Sequence, residues 1–236
     1  MLQLLVRNFV HPVQDFIYPP VCLTCDQPRS DRNSRVCASC WNSLAKITSD
    51  HPVWQEISSK LKEEGVVEDL LSCFLFEKEG KLQEIVHLLK YRGVRSVGVE
   101  LGRTLGGYVI RDARFASADY LIPVPLHRIK ERERGYNQSD HICRGISGVT
   151  HIPIGHSLLL RTKYTQSQTK LNHEERRQNV GDAFAVHQKY RNEVGGKKLI
   201  IVDDVITTGS TINACAKVLN ALGVKSVLAA SAALAE

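Results

Sequence analysis

Close to the carboxyl end, the apolar run Leu199-Ile200-Ile201-Val202 leads directly into Asp203, Asp204, Val205, Ile206, Thr207, Thr208, Gly209, Ser210 and Thr211. Placed at the start of a helix, the hydroxyls and backbone N–H groups of Thr207 to Thr211 form an anion cradle suited to a phosphate monoester. Gly209 lets the backbone approach without a side chain in the way. Two adjacent carboxylates beside such a cradle would repel the ligand unless something lay between, and sugar hydroxyls can donate to both. A negative pair under a sugar would also stabilise positive charge developing at its anomeric carbon. A plain helix N-cap needs one such residue, not the whole string.

A second group of reactive side chains lies near the amino end. Cys22 and Cys25 form one Cys-x-x-Cys pair and Cys37 and Cys40 another, eleven residues apart, while Cys73, Cys143 and Cys215 stand singly. Two knuckles that each present two thiolates to one ion meet the requirement of a closed tetrahedral zinc site. Iron–sulfur ligation or a redox pair uses the same residues, since four thiolates alone do not choose the metal. Two disulfides would suit a secreted chain and would leave three odd cysteines. A zinc with no open position is structural, and it offsets the small core of a module of about 30 residues.

These groups need elements to hold them. Lys198 to Asp203 is too continuously apolar for a one-sided strand and reads as a central strand covered on both faces, followed by a helix over 210–222 and a strand over 224–230. Upstream, Leu82, Ile85, Val86 and Leu89 follow the spacing of a helix with one apolar face, and a second helix covers 96–113. Strands are expected at 73–77, 120–125, 158–161 and 183–186, with a helix over 139–145. The polar stretch 48–65 reads as a linker turning into an amphipathic helix, and Thr162 to Asp182 as a flexible lid. Strands alternating with helices imply an α/β fold, a mostly parallel sheet flanked by helices. The divisions are 1–47 for an N-terminal helix and the cysteine module, 48–117 for a linker and hood-like helical segment, and 118–236 for the core domain.

The 236 residues, 43% apolar and 24% charged, have the composition of a soluble globular protein. Arg7 interrupts the apolar N-terminal stretch, no small-residue cleavage site follows, and no segment approaches the roughly 20 apolar residues of a membrane span. A cytoplasmic protein is the expectation. The net charge of +6 is concentrated: Pro125 to Lys198 carries 14 Lys and Arg against 7 Asp and Glu, and the remainder 17 against 18. Such a cluster suits a polyanion, either a pyrophosphate or a nucleic-acid backbone, or it is a solvated basic surface.

The Asp-Asp and Thr-Thr-Gly-Ser string resembles the phosphoribosyl pyrophosphate signature of type I phosphoribosyltransferases. With the two cysteine pairs, Leu89-Lys90-Tyr91, Ile122 to Leu126, Arg134-Gly135-Tyr136-Asn137-Gln138, Gln168 with Leu171, and Arg176 with Asn179-Val180, the whole chain resembles the ComF family of bacterial competence proteins. The resemblance implies a type I phosphoribosyltransferase-like fold with a zinc finger in front. It places Pro125, Leu126, His127 and Arg128 at the pyrophosphate and Asp203 and Asp204 at the ribose. Thr207, Thr208, Gly209, Ser210 and Thr211 fall at the 5′-phosphate. The lid brings Lys163, Lys170, Arg176 and Arg177, with Arg176 and Arg177 neutralising the leaving group, although solvation of a loop explains such residues equally. Lys90, Arg134, Tyr136, Asn137 and Gln168 match the pattern without a stated role.

The first functional expectation is therefore a Mg²⁺-dependent phosphoribosyl pyrophosphate site that retains transferase chemistry in a protein serving DNA uptake for natural transformation, acceptor unnamed. The second is a non-catalytic component that binds single-stranded DNA, works with other competence proteins and uses the ribose site as a sensor. With 6% aromatic residues, stacking platforms for bases are few.

Overall fold

The computed structural model describes residues 20–29, 34–163 and 183–236. A four-stranded parallel sheet in the order β1-β6-β5-β2 organises the molecule. Its strands are β1 (Asp69–Leu75), β2 (Tyr120–Pro123), β5 (Lys198–Ile206) and β6 (Ser226–Leu234). β3 (Leu159–Arg161) and β4 (Phe184–Val186) form a separate antiparallel ribbon, with Leu159 opposite Val186. The expectation that these two join the run of alternating strands is corrected. Each is three residues long and one ends in Arg161, whereas a strand inside a parallel sheet must be apolar on both faces.

Alternation along β5 sorts the core into two layers. Ile200 and Val202 look to one face, where Leu82, Ile85 and Leu89 of α3 (Lys81–Tyr91), Leu101 and Leu105 of α4 (Arg95–Val109), and Ile142 and Ile146 of α7 (Gln138–Thr150) cover them. Leu199 and Ile201 look to the other, packed with Ile57 and Leu61 of α2 (Pro52–Glu63) and Ile212, Cys215 and Leu219 of α8 (Ser210–Asn220). Burying one Leu or Ile contributes about 1.5–3 kcal/mol, so this double cover seats β5 firmly in the sheet. α4 and α7 cross closely: a Cβ on Gly102 would lie 2.0 Å from the Ile142 carbonyl oxygen, and one on Gly145 2.2 Å from that of Val99.

Local chemistry sets the ends of these elements. His51 caps α2 by accepting from Val53 N, with Pro52 in the first turn. α4 stops at Val109, short of the expected 113, and Asp112 caps the separate short helix α5 (Ala113–Ala116). The basic residues after β2 form a helix that the sequence pattern had not suggested, α6 (Arg128–Arg134), capped by His127 and ended by Gly135 at φ 79°. β1 begins four residues before the expected start and pairs with β6 along its length. The sheet therefore includes a strand that precedes residue 118. β5 continues to Ile206 and β6 to Leu234. The first of the chain's helices in the described residues, α1 (Ala38–Asn42), belongs to the cysteine module.

Among the described residues no helix is long and apolar enough to cross a membrane. The expected N-terminal helix and the segment 164–182, which carries Gln168, Lys170, Arg176 and Arg177, lie outside the described residues.

Candidate functional site

β5 delivers Asp203 and Asp204 to the carboxyl edge of the parallel sheet, the edge at which open α/β sheets bind ligands. Because successive residues of a strand point to opposite faces, the two acids have different surroundings. Asp204 is 4% exposed and lies on the face of α3 and α7. Its Oδ1 accepts from Val205 N at 2.8 Å, and its Oδ2 from Gln138 Nε2 at 3.1 Å and Lys90 Nζ at 2.9 Å. On Asp203, Oδ1 accepts from Asp204 N at 2.9 Å and from Ser139 Oγ at 3.2 Å. Its Oδ2 has no protein partner among the described residues, and the residue borders a hollow of about 40 Å³ shared with Thr207, Thr208, Gly209, Ser210 and Thr211. That is room for about three waters, or one small oxyanion.

The hollow is built for an anion. Gly209, the N-cap of α8, takes φ 76° and has no side chain to cap the first turn, where Thr208 Oγ1 accepts from Ser210 N at 3.4 Å. Thr208 Oγ1 and Ser210 Oγ lie 3.0 Å apart, so the hydroxyls are oriented toward each other at the helix start, where the macrodipole favours negative charge.

Electrostatics divide the site into an acidic floor and a basic rim. Burial, with the Asp204 charge adding to it, pushes the Asp203 carboxyl up to about 7 against the opposing pull of Lys90. Burial alone would lower the Lys90 ammonium, but Asp204 and Asp203 hold it above its ordinary range. On the rim, Lys130 is pushed down by burial and by Arg161 and Arg134, and Arg161 is pushed down by burial while Asp203 opposes the shift. Beside this rim a second cavity of about 490 Å³ opens against Pro125, Leu126, His127, Arg128, Asp140 and Arg161.

The structure thus brings Asp203, Asp204, the 207–211 string and Lys90 together, with the 125–128 loop on an adjoining cavity. Other expected residues have scaffold contacts. Asn137 Oδ1 caps α7 through Ser139 N at 3.1 Å while its Nδ2 donates to the Val124 carbonyl at 2.9 Å. The Tyr136 hydroxyl donates to the Leu89 carbonyl, and Arg95 stacks 4.8 Å from its ring. Arg134 stacks 5.6 Å from the ring of Tyr91. Gln138 and Ser139, which touch the acids directly, had not been singled out as site residues. Their one signal was their place just after Asn137, at the start of an amphipathic helix.

The four cysteines gather into a second site. Cys22, Cys25, Cys37 and Cys40 place their sulfurs within 4.8 Å of one another, with Cys22 to Cys40 at 3.9 Å and Cys25 to Cys37 at 3.8 Å. A tetrahedron of thiolates about 2.3 Å from a central zinc has edges of about 3.8 Å. None of the four is in a disulfide. Cys37 N donates to Cys22 Sγ at 3.3 Å, which supports a thiolate at that position. The residues fit a structural Zn²⁺ with every coordination position filled by protein.

Two family models match parts of the chain. Residues 13–71 match the model of a double zinc ribbon domain, and residues 158–235 that of a phosphoribosyl transferase domain. Competence protein F of Haemophilus influenzae is 38% identical over 122 residues, covering 50% of this chain and 53% of that protein. The DNA utilization protein YhgH of Escherichia coli K12 is 32% identical over 141 residues, covering 58% and 60%. These two matches thus span little more than half of each relative's length. Competence protein ComFC of Bacillus subtilis aligns over 86% of this chain and 90% of its own length, at 23% identity. The chain is thus similar to the competence protein F, YhgH and ComFC proteins, and carries a zinc-ribbon-type module joined to a phosphoribosyltransferase-type α/β domain.

Proposed function

We propose that the chain binds phosphoribosyl pyrophosphate with Mg²⁺ at the carboxyl edge of the sheet and transfers the phosphoribosyl group to an acceptor, in a cytoplasmic protein that serves the handling of incoming DNA in competence. The observation that carries this reading is the Asp203 Oδ2, without a protein partner among the described residues, beside the glycine-started N-terminus of α8. A sugar hydroxyl donates to the carboxylate while its 5′-phosphate occupies the hollow. Asp204 takes a hydroxyl in exchange for Gln138. The pyrophosphate extends toward the 125–128 loop and the basic rim, and Arg176 and Arg177 close over it.

Among the described residues the group able to hold an ion by itself is the four-cysteine cluster. That suits a magnesium ion that arrives on substrate phosphates and keeps several waters. When bound, Mg²⁺ supplies charge neutralisation at the leaving pyrophosphate. The chain's own groups orient the ribose, hold the phosphate and present negative charge beneath the anomeric carbon.

The test is calorimetric titration of the purified chain with phosphoribosyl pyrophosphate and Mg²⁺, followed by a screen of nucleobases and amines for pyrophosphate release. Thr208→Ala removes a charge-assisted hydrogen bond to phosphate, worth about 1.5–3 kcal/mol or about tenfold to a hundredfold in affinity. Titration curves identical for parent and variant would remove the site.

A second reading, single-stranded DNA binding, is favoured by the exposed basic residues Arg128 and Arg132 of α6 and by the name DNA utilization protein that the YhgH relatives carry. Changing Arg176 and Arg177 to Ala separates the two. An enzymatic lid loses ligand affinity and keeps its DNA binding. A DNA track keeps ligand affinity and flattens its salt dependence by about 0.7 per lost phosphate contact.

A further inference from the structure

Asp203 and Asp204 are adjacent carboxylates at the end of a buried strand, an arrangement that two like charges resist unless a cation shares the space. The charged and titratable groups facing them come from every neighbouring element. Arg161 of β3 faces Asp203, and the buried thiols of Cys143 on α7 and Cys215 on α8 are pushed well above their ordinary range and stay neutral. Arg134 of α6 faces Lys90 and repels it. Of the cations, Lys90 is in contact with the pair, its Nζ 2.9 Å from Asp204 Oδ2 and its side chain 24% exposed. It comes from the last turn of α3, outside the strand, loop and helix that make the phosphate hollow. Leu89, its neighbour, is fully buried and its carbonyl accepts from the Tyr136 hydroxyl. That contact fixes the end of α3 against the start of α7, from which Gln138 and Ser139 reach the same acids.

We propose that Lys90 is a positioning residue of the sugar site: its ammonium is the built-in counter-charge that holds Asp204 in place and opposes uptake of a proton by the acidic pair. The role rests on the function proposed above for the identity of the ligand, but not for the counter-charge itself. Withdrawing the ammonium leaves two adjacent carboxylates opposed, among the described residues, by Arg161, which lies on the Asp203 side. The pair then takes up a proton at higher pH, and a protonated carboxyl is a poorer acceptor for sugar hydroxyls.

The experiment compares the full-length parent with Lys90→Met, which keeps the stem, and Lys90→Arg, which keeps the charge. Ligand-free protein is melted across pH 5 to 9, and each protein is titrated with phosphoribosyl pyrophosphate and Mg²⁺ at pH 6, 7 and 8. Lys90→Met is expected to melt below the parent by a margin that widens as pH rises and closes near pH 5, with Lys90→Arg following the parent. In titrations, Lys90→Met is expected to bind at least tenfold more weakly at pH 7 and to recover part of the loss at pH 8, with Lys90→Arg within a few-fold of the parent. A melting deficit of the same size at every pH, or a Lys90→Arg variant as impaired as Lys90→Met, overturns the proposal by making Lys90 a packing residue. A parent that gives no heat with phosphoribosyl pyrophosphate, while the melting curves behave as stated, removes the ligand assignment and supports the counter-charge.

Discussion

The Asp203 carboxyl shows how a residue proposed to bind ligand can work against the fold that carries it. Its ordinary value lies near 4, and burial and Asp204 push it to about 7 in the folded chain. The folded state therefore holds a proton there that the unfolded state has lost, and stability attributable to this group falls as pH rises from about 4 to about 7. An Asp203→Asn variant carries no such charge. It should melt above the parent at pH 8, with the gain shrinking toward pH 5, and should lose affinity for a sugar phosphate at both. Melting curves at the two pH values check this, and a variant less stable than the parent at pH 8 would count against the burial of the charge. The grouping itself was legible from residue types, since adjacent acids run straight into a hydroxyl-rich string. The asymmetry between the acids was not, because it depends on which face of β5 meets α3 and α7, and neither helix is near in sequence.

At the scale of elements, the turn from β5 into α8 is the most constrained. Gly209 sits at φ 76°, and a Cβ there would meet Leu61 Cδ2 at 2.7 Å. Gly209→Ala thus combines a left-handed backbone, about 1–2 kcal/mol for an L-residue, with overpacking of about 1–3 kcal/mol. Urea denaturation should show a loss of about 2 kcal/mol or more, and Leu61→Ala in the same chain should return the packing share alone. The helices α3 and α8 and the strand β5 were readable because periodicity and apolar runs are local signals. The partners of β1 were not, since Asp69 to Leu75 pairs with residues more than 150 positions away. The ribbon of β3 and β4 was misplaced for a related reason, as short apolar segments carry no mark of whether they pair in parallel or antiparallel. α6 was missed because its seven charged and apolar residues show no stripe, and only its two ends, His127 and Gly135, define it.

For the molecule as a whole, the zinc module is not an appendage. Cys22, Val36, Cys40 and Leu44 belong to the same buried cluster as Cys73, Leu82, Leu89 and Leu101. Leu75 N donates to the Ala45 carbonyl at 2.9 Å and Ile47 N to that of Cys73 at 3.1 Å, while Trp41 Nε1 donates to Glu100 at 3.0 Å. Removing the metal should therefore unseat β1 and α4 as well as the module. A strong chelator is expected to release about one Zn²⁺ per chain and to lower the melting temperature of a single cooperative transition. Two separate transitions, with the upper one unchanged, would show the module to be independent.

The order of strands, β1-β6-β5-β2, also bears on how the protein is made. The two edge strands are synthesised first and the two central strands last, so on the ribosome β1 and β2 emerge before the strands they pair with in the sheet. More than a hundred residues separate β1 from its partner, and non-local pairing of that kind makes folding slow and exposes apolar strands while it waits. Nascent chains stalled before residue 226 should accordingly be open to protease and bound by holding chaperones, and those released after Leu234 should not. The sheet then closes late and nearly all at once, and the carboxyl edge that carries Asp203 and Asp204 is complete only when the strand beside β5 has left the tunnel.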